Sequence, residues 1–270
     1  MVTELWPDPG REHALAGLYL SHPVARTVDG ARVYSNFVTS LDGRIALRDP
    51  VSGRFGVPRT IANARDWRLY QELAAQADAI VVSGRYVREL AEGSAQAGLP
   101  VSEAGFDDLR AFRVEHGLAP QPAVVVVSGS LDLPLSDALC ADARERFVAT
   151  GAAADPARSD ALRQAGFTVL TCGGGQRVVA RELIAQLAER GLRNLYVVAG
   201  PVVLNTFLGE GCLDRLYLTT VNRVLGGDEF ATFADGAALV PPVDFRLAAS
   251  FLDRGADGAP EQTFSVLDRV

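Results

Sequence analysis

The stretch N-L-Y-V-V-A-G-P-V-V-L, Asn194 to Leu204, decides the fold. Its first five residues are mostly apolar and read as a strand buried on both faces. Ala199 and Gly200 then turn the chain, and Pro201 opens a helix, because its missing N–H and fixed φ suit a first helical turn. A buried strand running through small residues into a helix is the unit of a parallel α/β sheet. The free N–H groups at such a helix start lie at the carboxyl end of the strand, where open α/β sheets bind ligands.

Outward from there the same alternation repeats. Residues 33 to 39 read as a strand. Asn63 to Ala77 reads as a helix, with Asn63 as N-cap, Asp66 three residues on, and Trp67, Tyr70, Ala74 and Ala77 on one face. A-I-V-V (79 to 82) and A-V-V-V-V (123 to 127) are buried strands, and R-F-V-A-T (146 to 150) and F-T-V-L-T (167 to 171) are shorter ones. The helix between the last two is punctuated by Asp155, Pro156 and Gly166, and Val178 to Arg190, closed by Gly191, is another. Residues 213 to 221, 245 to 252 and 263 to 267 are strands without helices between them, the last two joined by the turn-rich D-R-G-A-D-G-A-P. The expected fold is therefore α/β, a mostly parallel central sheet flanked by helices with an antiparallel C-terminal edge, in one domain over 1–270. Residues 1–30 read as an N-terminal extension. Residues 89–122, with one short helix around Phe106 to His116, read as a surface insertion.

Composition narrows the function. With 48% apolar and 22% charged residues in 270, the chain can bury a sizeable core. A net charge of -7 excludes a generally polyanion-binding surface, so no nucleic-acid or anionic-membrane partner is expected. No apolar run approaches the roughly 18 residues needed to span a bilayer. Cys140, Cys172 and Cys212 are far apart, with no C-x-x-C, so neither a metal site nor a disulfide framework is expected and a reduced, cytoplasmic protein fits. His13, His22 and His116 read as surface residues.

What remains is a set of small-residue turns at strand ends. S-G-R-Y-V follows 79–82, S-G-S follows 123–127, and A-G-P-V-V-L follows 194–198. Each alone is ordinary punctuation; three at one sheet edge point to a dinucleotide laid across it, without a G-x-G-x-x-G fingerprint. G-G-G (173 to 175) reads as a flexible loop rather than an anion site.

T-S-L-D-G-R-I-A (39 to 46) resembles the opening motif of the pyrimidine reductases of riboflavin biosynthesis, a family with a dihydrofolate-reductase-like fold. The resemblance runs on through A-D-A-I-V-V-S-G-R (77 to 85), residues 187 to 208, L-D-R-L-Y-L-T (213 to 219) and V-L-G-G (224 to 227). It implies an NADPH-dependent homodimeric reductase that converts the ribosylamino side chain of a phosphorylated pyrimidine to the ribitylamino form. By position it implies Gly84 and Arg85 as the dinucleotide-phosphate turn with Arg85 at the 2′-phosphate, Ser128, Ser130 and Thr150 near the adenosine, and Ala199, Gly200, Pro201 and Val202 at the pyrophosphate. Asp42 would be the catalytic carboxylate facing the substrate's heterocycle, with Ser40, Asn36 and Val198 around it. Two departures mark the substrate side: Val198 stands where many members have Glu, and Asn36 where many have Lys. A same-fold reductase of a pterin, folate or imine, or a non-catalytic binding protein, are the alternatives. The H-x-E and P-C-x-x-C of a fused deaminase are absent from the sequence.

Overall fold

The computed structural model describes residues 1–23, 30–136, 139, 144–255 and 259–270. Cys140 and part of the expected turn at 253–260 lie outside them. The main strands, in chain order, are β1 (Val2–Trp6), β2 (Glu12–His13), β3 (Arg32–Ser40), β6 (Ala79–Ser83), β7 (Ala123–Val127), β8 (Arg146–Thr150), β9 (Thr168–Thr171), β10 (Asn194–Val197), β11 (Arg215–Val221), β13 (Phe245–Asp253) and β14 (Gln262–Arg269). They form one sheet in the order β2-β1-β13-β14-β11-β3-β10-β6-β7-β8-β9. From β11 to β9 every pairing is parallel; β14, β13, β1 and β2 add the antiparallel edge. A small second sheet joins β12 (Phe230–Ala231), β4 (Ala46–Arg48) and β5 (Phe55–Gly56).

Helices cover both faces: α1 (Ala64–Gln76), α2 (Gly84–Ala91), α3 (Asp107–Glu115), α4 (Pro156–Gln164), α5 (Ala180–Ala188) and α6 (Pro201–Gly209). On one face Leu183 and Leu187 of α5 and Leu204 and Phe207 of α6 pack on Val81, Val125, Leu195 and Val197. On the other, Leu69, Leu73 and Ala74 of α1 lie over Tyr34, Tyr196 and Tyr217, with the Tyr34 and Tyr196 rings stacked 5.0 Å apart. The β6, β7 and β10 runs are apolar on both sides because both sides are covered.

Three expectations change. The stretch 84–88 is not a loop turn: β6 passes directly into α2, with Ser83 at the N-cap, so the apolar Val87 and Leu90 gain a helical spacing and are buried. Residues 89–122 are less a surface insertion than expected, because Leu99, Leu109 and Arg113 are buried and α3 packs on α1. Arg113 donates to the Ala75 and Ala77 carbonyls at 2.8 and 2.9 Å, satisfying acceptors that the end of α1 leaves open. His13 and His22 are half-buried rather than surface residues: both rings sit edge-on to Phe251, and His13 bonds Glu4 at 2.6 Å. His116 is exposed.

The N-terminal extension also belongs to the sheet, through β1 beside β13. It is fastened by Glu72 of α1, whose buried carboxylate accepts the N–H groups of Gly17 and Tyr19 at 2.6 and 2.8 Å.

Candidate active site

The carboxyl ends of β6, β7, β8 and β10 carry the small residues singled out above. Gly84 is the first residue of α2; a Cβ there would meet Leu133 Cδ2 at 3.1 Å, Arg88 Nη1 at 3.6 Å and Ser128 Oγ at 4.0 Å. These groups therefore converge on the Gly84 turn. Arg85 does not join them: its Nε donates to Glu89 at 2.6 Å and its guanidinium also donates to the Phe55 carbonyl. The Arg88 side chain makes no hydrogen bond or ion pair among the described residues; its guanidinium lies at this turn and also acts electrostatically on Glu92. Sequence reading missed it because Arg88 reaches Gly84 only through the i, i+4 spacing of a helix that had been read as a turn.

Beyond Gly84, Ser128 Oγ accepts the Leu131 N–H at 3.1 Å, and the exposed Ser130 accepts that of Asp132 at 3.3 Å. Thr150 is 2% exposed, and its buried hydroxyl has no hydrogen-bond partner among the described residues. Next to it the G-G-G loop folds back so closely that a Cβ on Gly151 would come 1.9 Å from the Gly175 carbonyl oxygen. Only glycine fits there, so the loop's flexibility serves a close backbone approach. At β10, Ala199 is buried, Gly200 is the N-cap of α6 with open space where a Cβ would point, and Val202 is exposed on the first turn. No described side chain caps α6; Pro201 has no N–H and the Val203 N–H bonds the Gly200 carbonyl at 3.0 Å, so the Val202 N–H is the first-turn donor left for an anion.

At the ends of β3 and β11 the arrangement is different. Asp42 accepts the Ser40 hydroxyl at 2.5 Å, the Gly226 N–H at 2.8 Å, the Leu225 N–H at 3.2 Å and the Arg44 guanidinium at 2.7 Å. Arg44 also donates to the Gly227 carbonyl at 2.8 Å and lies 4.2 Å over the Phe230 ring. T-S-L-D-G-R and V-L-G-G, 183 positions apart, are thus one latch. Gly226 and Gly227, at φ +67° and +89°, allow the backbone to present both N–H groups to one carboxylate. The Ser40 hydroxyl first, then the Gly226 N–H, hold the Asp42 carboxyl far below its usual range. These bonds anchor Asp42 as a charged carboxylate at the end of β3. Ser40 is likewise spent within the turn, also accepting the Arg44 N–H at 3.0 Å.

Asn36 lies further down β3, its Oδ1 accepting the Tyr196 hydroxyl at 2.5 Å. Strand alternation puts Tyr34, Asn36 and Val38 on the face beneath α1, and the register sets Tyr217 and Thr219 of β11 beside Asn36 and Val38. Val198 is half-buried against the same cluster. Onto this face α1 sends Asp66, whose Oδ1 accepts the Thr219 hydroxyl at 2.6 Å. Asp66 stands three residues after the N-cap, and Asn63 alone caps α1, accepting from Arg65 and Asp66 N–H at 3.0 Å each. The Asp66 side chain is free to turn to β11. Burial pushes its carboxyl up to about 6, partly opposed by the Thr219 hydroxyl. Nothing in the sequence marks a contact between residues 153 positions apart.

Comparison with known proteins identifies the architecture. Residues 31–253 match the family described as the RibD C-terminal domain. A 2,5-diamino-6-ribosylamino-4(3H)-pyrimidinone 5′-phosphate reductase from Archaeoglobus fulgidus is 24% identical over 208 residues, covering 77% of this chain and 88% of that protein. The protein of the same name from Methanothermobacter thermautotrophicus is 24% identical over 207 residues, 77% of this chain and 85% of its own. A pyrimidine reductase-like protein from Corynebacterium diphtheriae superposes with a TM-score of 0.62 at 20% identity, over 89% of this chain and 92% of that one. RibD from Acinetobacter baumannii superposes at 0.63 with 18% identity, over 90% of this chain, which spans 59% of that protein. By its match across residues 31–253, on the sheet and latch described above, the chain belongs to the RibD C-terminal domain family, the pyrimidine reductases of riboflavin biosynthesis.

Proposed function

We propose that this oxidoreductase uses NADPH to reduce the ribosylamino side chain of a 5′-phosphorylated aminopyrimidine to the ribitylamino form, as a cytoplasmic homodimer. The observation that carries the cofactor half is the buried, unpartnered Thr150 hydroxyl, set among Ser128, Gly151 and the close-packed G-G-G loop. A buried hydroxyl costs about 1–3 kcal/mol when left unpaired, so a polar ligand at this edge relieves a standing penalty. The residues fit a dinucleotide: the uncapped start of α6 and Gly200 suit the pyrophosphate, Ser128, Ser130 and Thr150 the adenosine end, and Gly84 with Arg88 the 2′-phosphate. When bound, the nicotinamide supplies the hydride. The protein's part is to hold the pyrimidine beneath α1 and keep the latch closed through Asp42 and Arg44.

A second reading keeps the cofactor and changes the substrate. It is favoured by Val198 in place of a carboxylate and by Asn36, neutral and already bonded to Tyr196. Following NADPH absorbance with 2,5-diamino-6-ribosylamino-4(3H)-pyrimidinone 5′-phosphate, its uracil counterpart and, separately, dihydrofolate distinguishes the two. Oxidation with either ribosylaminopyrimidine is expected. Oxidation with dihydrofolate alone would move the chain to the second reading, and failure to bind NADPH at all would overturn both.

A further inference from the structure

The chain lacks a carboxylate at Val198, yet the face beneath α1 does not lack an acid. Asp66 arrives from the helix above instead of from the strand, anchored on Thr219 at 2.6 Å with its second oxygen uncommitted among the described residues. The titratable side chains that feel Asp66 are Tyr19 from the N-terminal extension and Tyr196 from β10, both held well above the ordinary phenol range chiefly by burial. No cation lowers the Asp66 carboxyl; burial and Thr219 are the influences on it. The nearest cation in sequence, Arg65, is turned away to Asp253 at 2.5 Å.

A second observation points to a ligand. Tyr19 is 2% exposed and its buried hydroxyl has no hydrogen-bond partner among the described residues. Asp66 is the charged group that bears on it most strongly. An uncommitted carboxylate oxygen and an unpaired phenol, beside the Tyr196–Asn36 pair, are polar atoms set in an otherwise aromatic wall. Stacked rings of Trp67 and Tyr70, 5.0 Å apart, continue that wall along α1. Flat apolar walls with a few convergent polar groups suit a planar heterocycle bearing N–H donors.

We propose that Asp66 is the carboxylate that receives the N–H edge of the substrate's heterocycle, replacing from helix α1 the acid that the chain lacks at Val198. This rests on the reductase reading above. It also gives a reason for the altered strand position: with the acid supplied from α1, a carboxylate at 198 on the same face would add a like charge in a poorly solvated place. The carboxyl's ordinary ionisation is delayed to about pH 6. Above that pH it accepts hydrogen bonds from the heterocycle, and below it one acceptor is lost, so substrate affinity weakens as pH falls.

The experiment uses the full chain. In steady-state kinetics with the ribosylaminopyrimidine phosphate, Asp66→Asn is expected to raise KM roughly ten- to a hundred-fold, the usual effect of losing a charged hydrogen-bond partner, with NADPH affinity unchanged. The wild-type limb of kcat/KM near pH 6 should vanish in Asp66→Asn. In Thr219→Val it should move to higher pH, because the hydroxyl that favours the charged form is gone, and this variant carries the test if Asp66→Asn folds poorly. Without NADPH, quenching of Trp67 by 2,5,6-triaminopyrimidin-4-one should be strong in the wild type above pH 6 and weak in Asp66→Asn. Equal quenching in the two proteins, or a pH limb unmoved by both substitutions, would overturn the proposal. Heterocycle binding that depends on Asp66 with no NADPH oxidation would instead defeat the reductase reading and leave this inference standing.

Discussion

The two halves of the sheet edge are built from different materials. At β6, β7, β8 and β10 the surface is backbone and small residues, with a buried hydroxyl unpaired and a helix start uncapped. At β3 and β11 it is long side chains already bonded to one another: Asp42 to four donors, Asn36 to Tyr196, Asp66 to Thr219. The first half is shaped for a ligand that brings its own polar groups. The second is a prearranged frame in which few atoms remain uncommitted, and those few set what can bind. Close backbone approach tolerates no added atom, whereas a bonded frame tolerates isosteric change, and this contrast orders the expected effects.

The largest belongs to the backbone-built half. Gly151→Ala places a methyl group 1.9 Å from the Gly175 carbonyl oxygen, so the loop must move. A loss of about 3 kcal/mol in stability, or roughly 10 °C in Tm, is expected, with NADPH binding abolished; thermal melts and cofactor titration on the same sample check both. A wild-type melt would show that the loop yields easily. Next is the cation at the Gly84 turn. Arg88→Ala should narrow the preference for NADPH over NADH about ten-fold or more, while Arg85→Ala changes it less than about three-fold, because Arg85 is held by Glu89 and Phe55. The reverse order in fluorescence titrations would return the role to Arg85. The smallest effect is expected in the bonded frame: Asp42→Asn keeps the shape of the latch, should lower Tm by only a few degrees and leave NADPH affinity unchanged. Since the folded Asp42 carboxyl is far more acidic than its ordinary value of 3.8, the wild type's advantage is full above that pH and shrinks as pH falls below it. A difference in Tm independent of pH would assign the effect to geometry instead of charge.

Much of this was legible in the residues. The Val-rich runs and the Asn194 to Leu204 unit predicted the parallel centre, and Asn63, Asp155, Gly166 and Gly191 marked helix ends where the structure has them. The helix α2 was hidden because Ser-Gly-Arg looks like a turn, and its helical pattern emerges only once Val87 and Leu90 are seen to share a buried face. Asp42 was legible as special but not as a latch, since its partners Leu225 and Gly226 offer backbone N–H groups, which leave no mark on residue type. Asp66 was legible only as the residue three after an N-cap. Its contact with Thr219 depends on α1 crossing β11, a fact of packing that no local pattern encodes.

The sheet also fixes the order in which the chain can be completed. Strand β1, at residues 2 to 6, pairs with β13, at residues 245 to 253, and β3 lies between β10 and β11. Strand β1 can thus find its place only once residues 245 to 253 are present. High separation between paired strands slows folding, because long loops must close before their contacts form. During synthesis β1 stays without its β13 partner until residues 245 to 253 have left the ribosome. The antiparallel edge is consequently completed late in folding, by the pairing of residues 2 to 6 with residues 245 to 253.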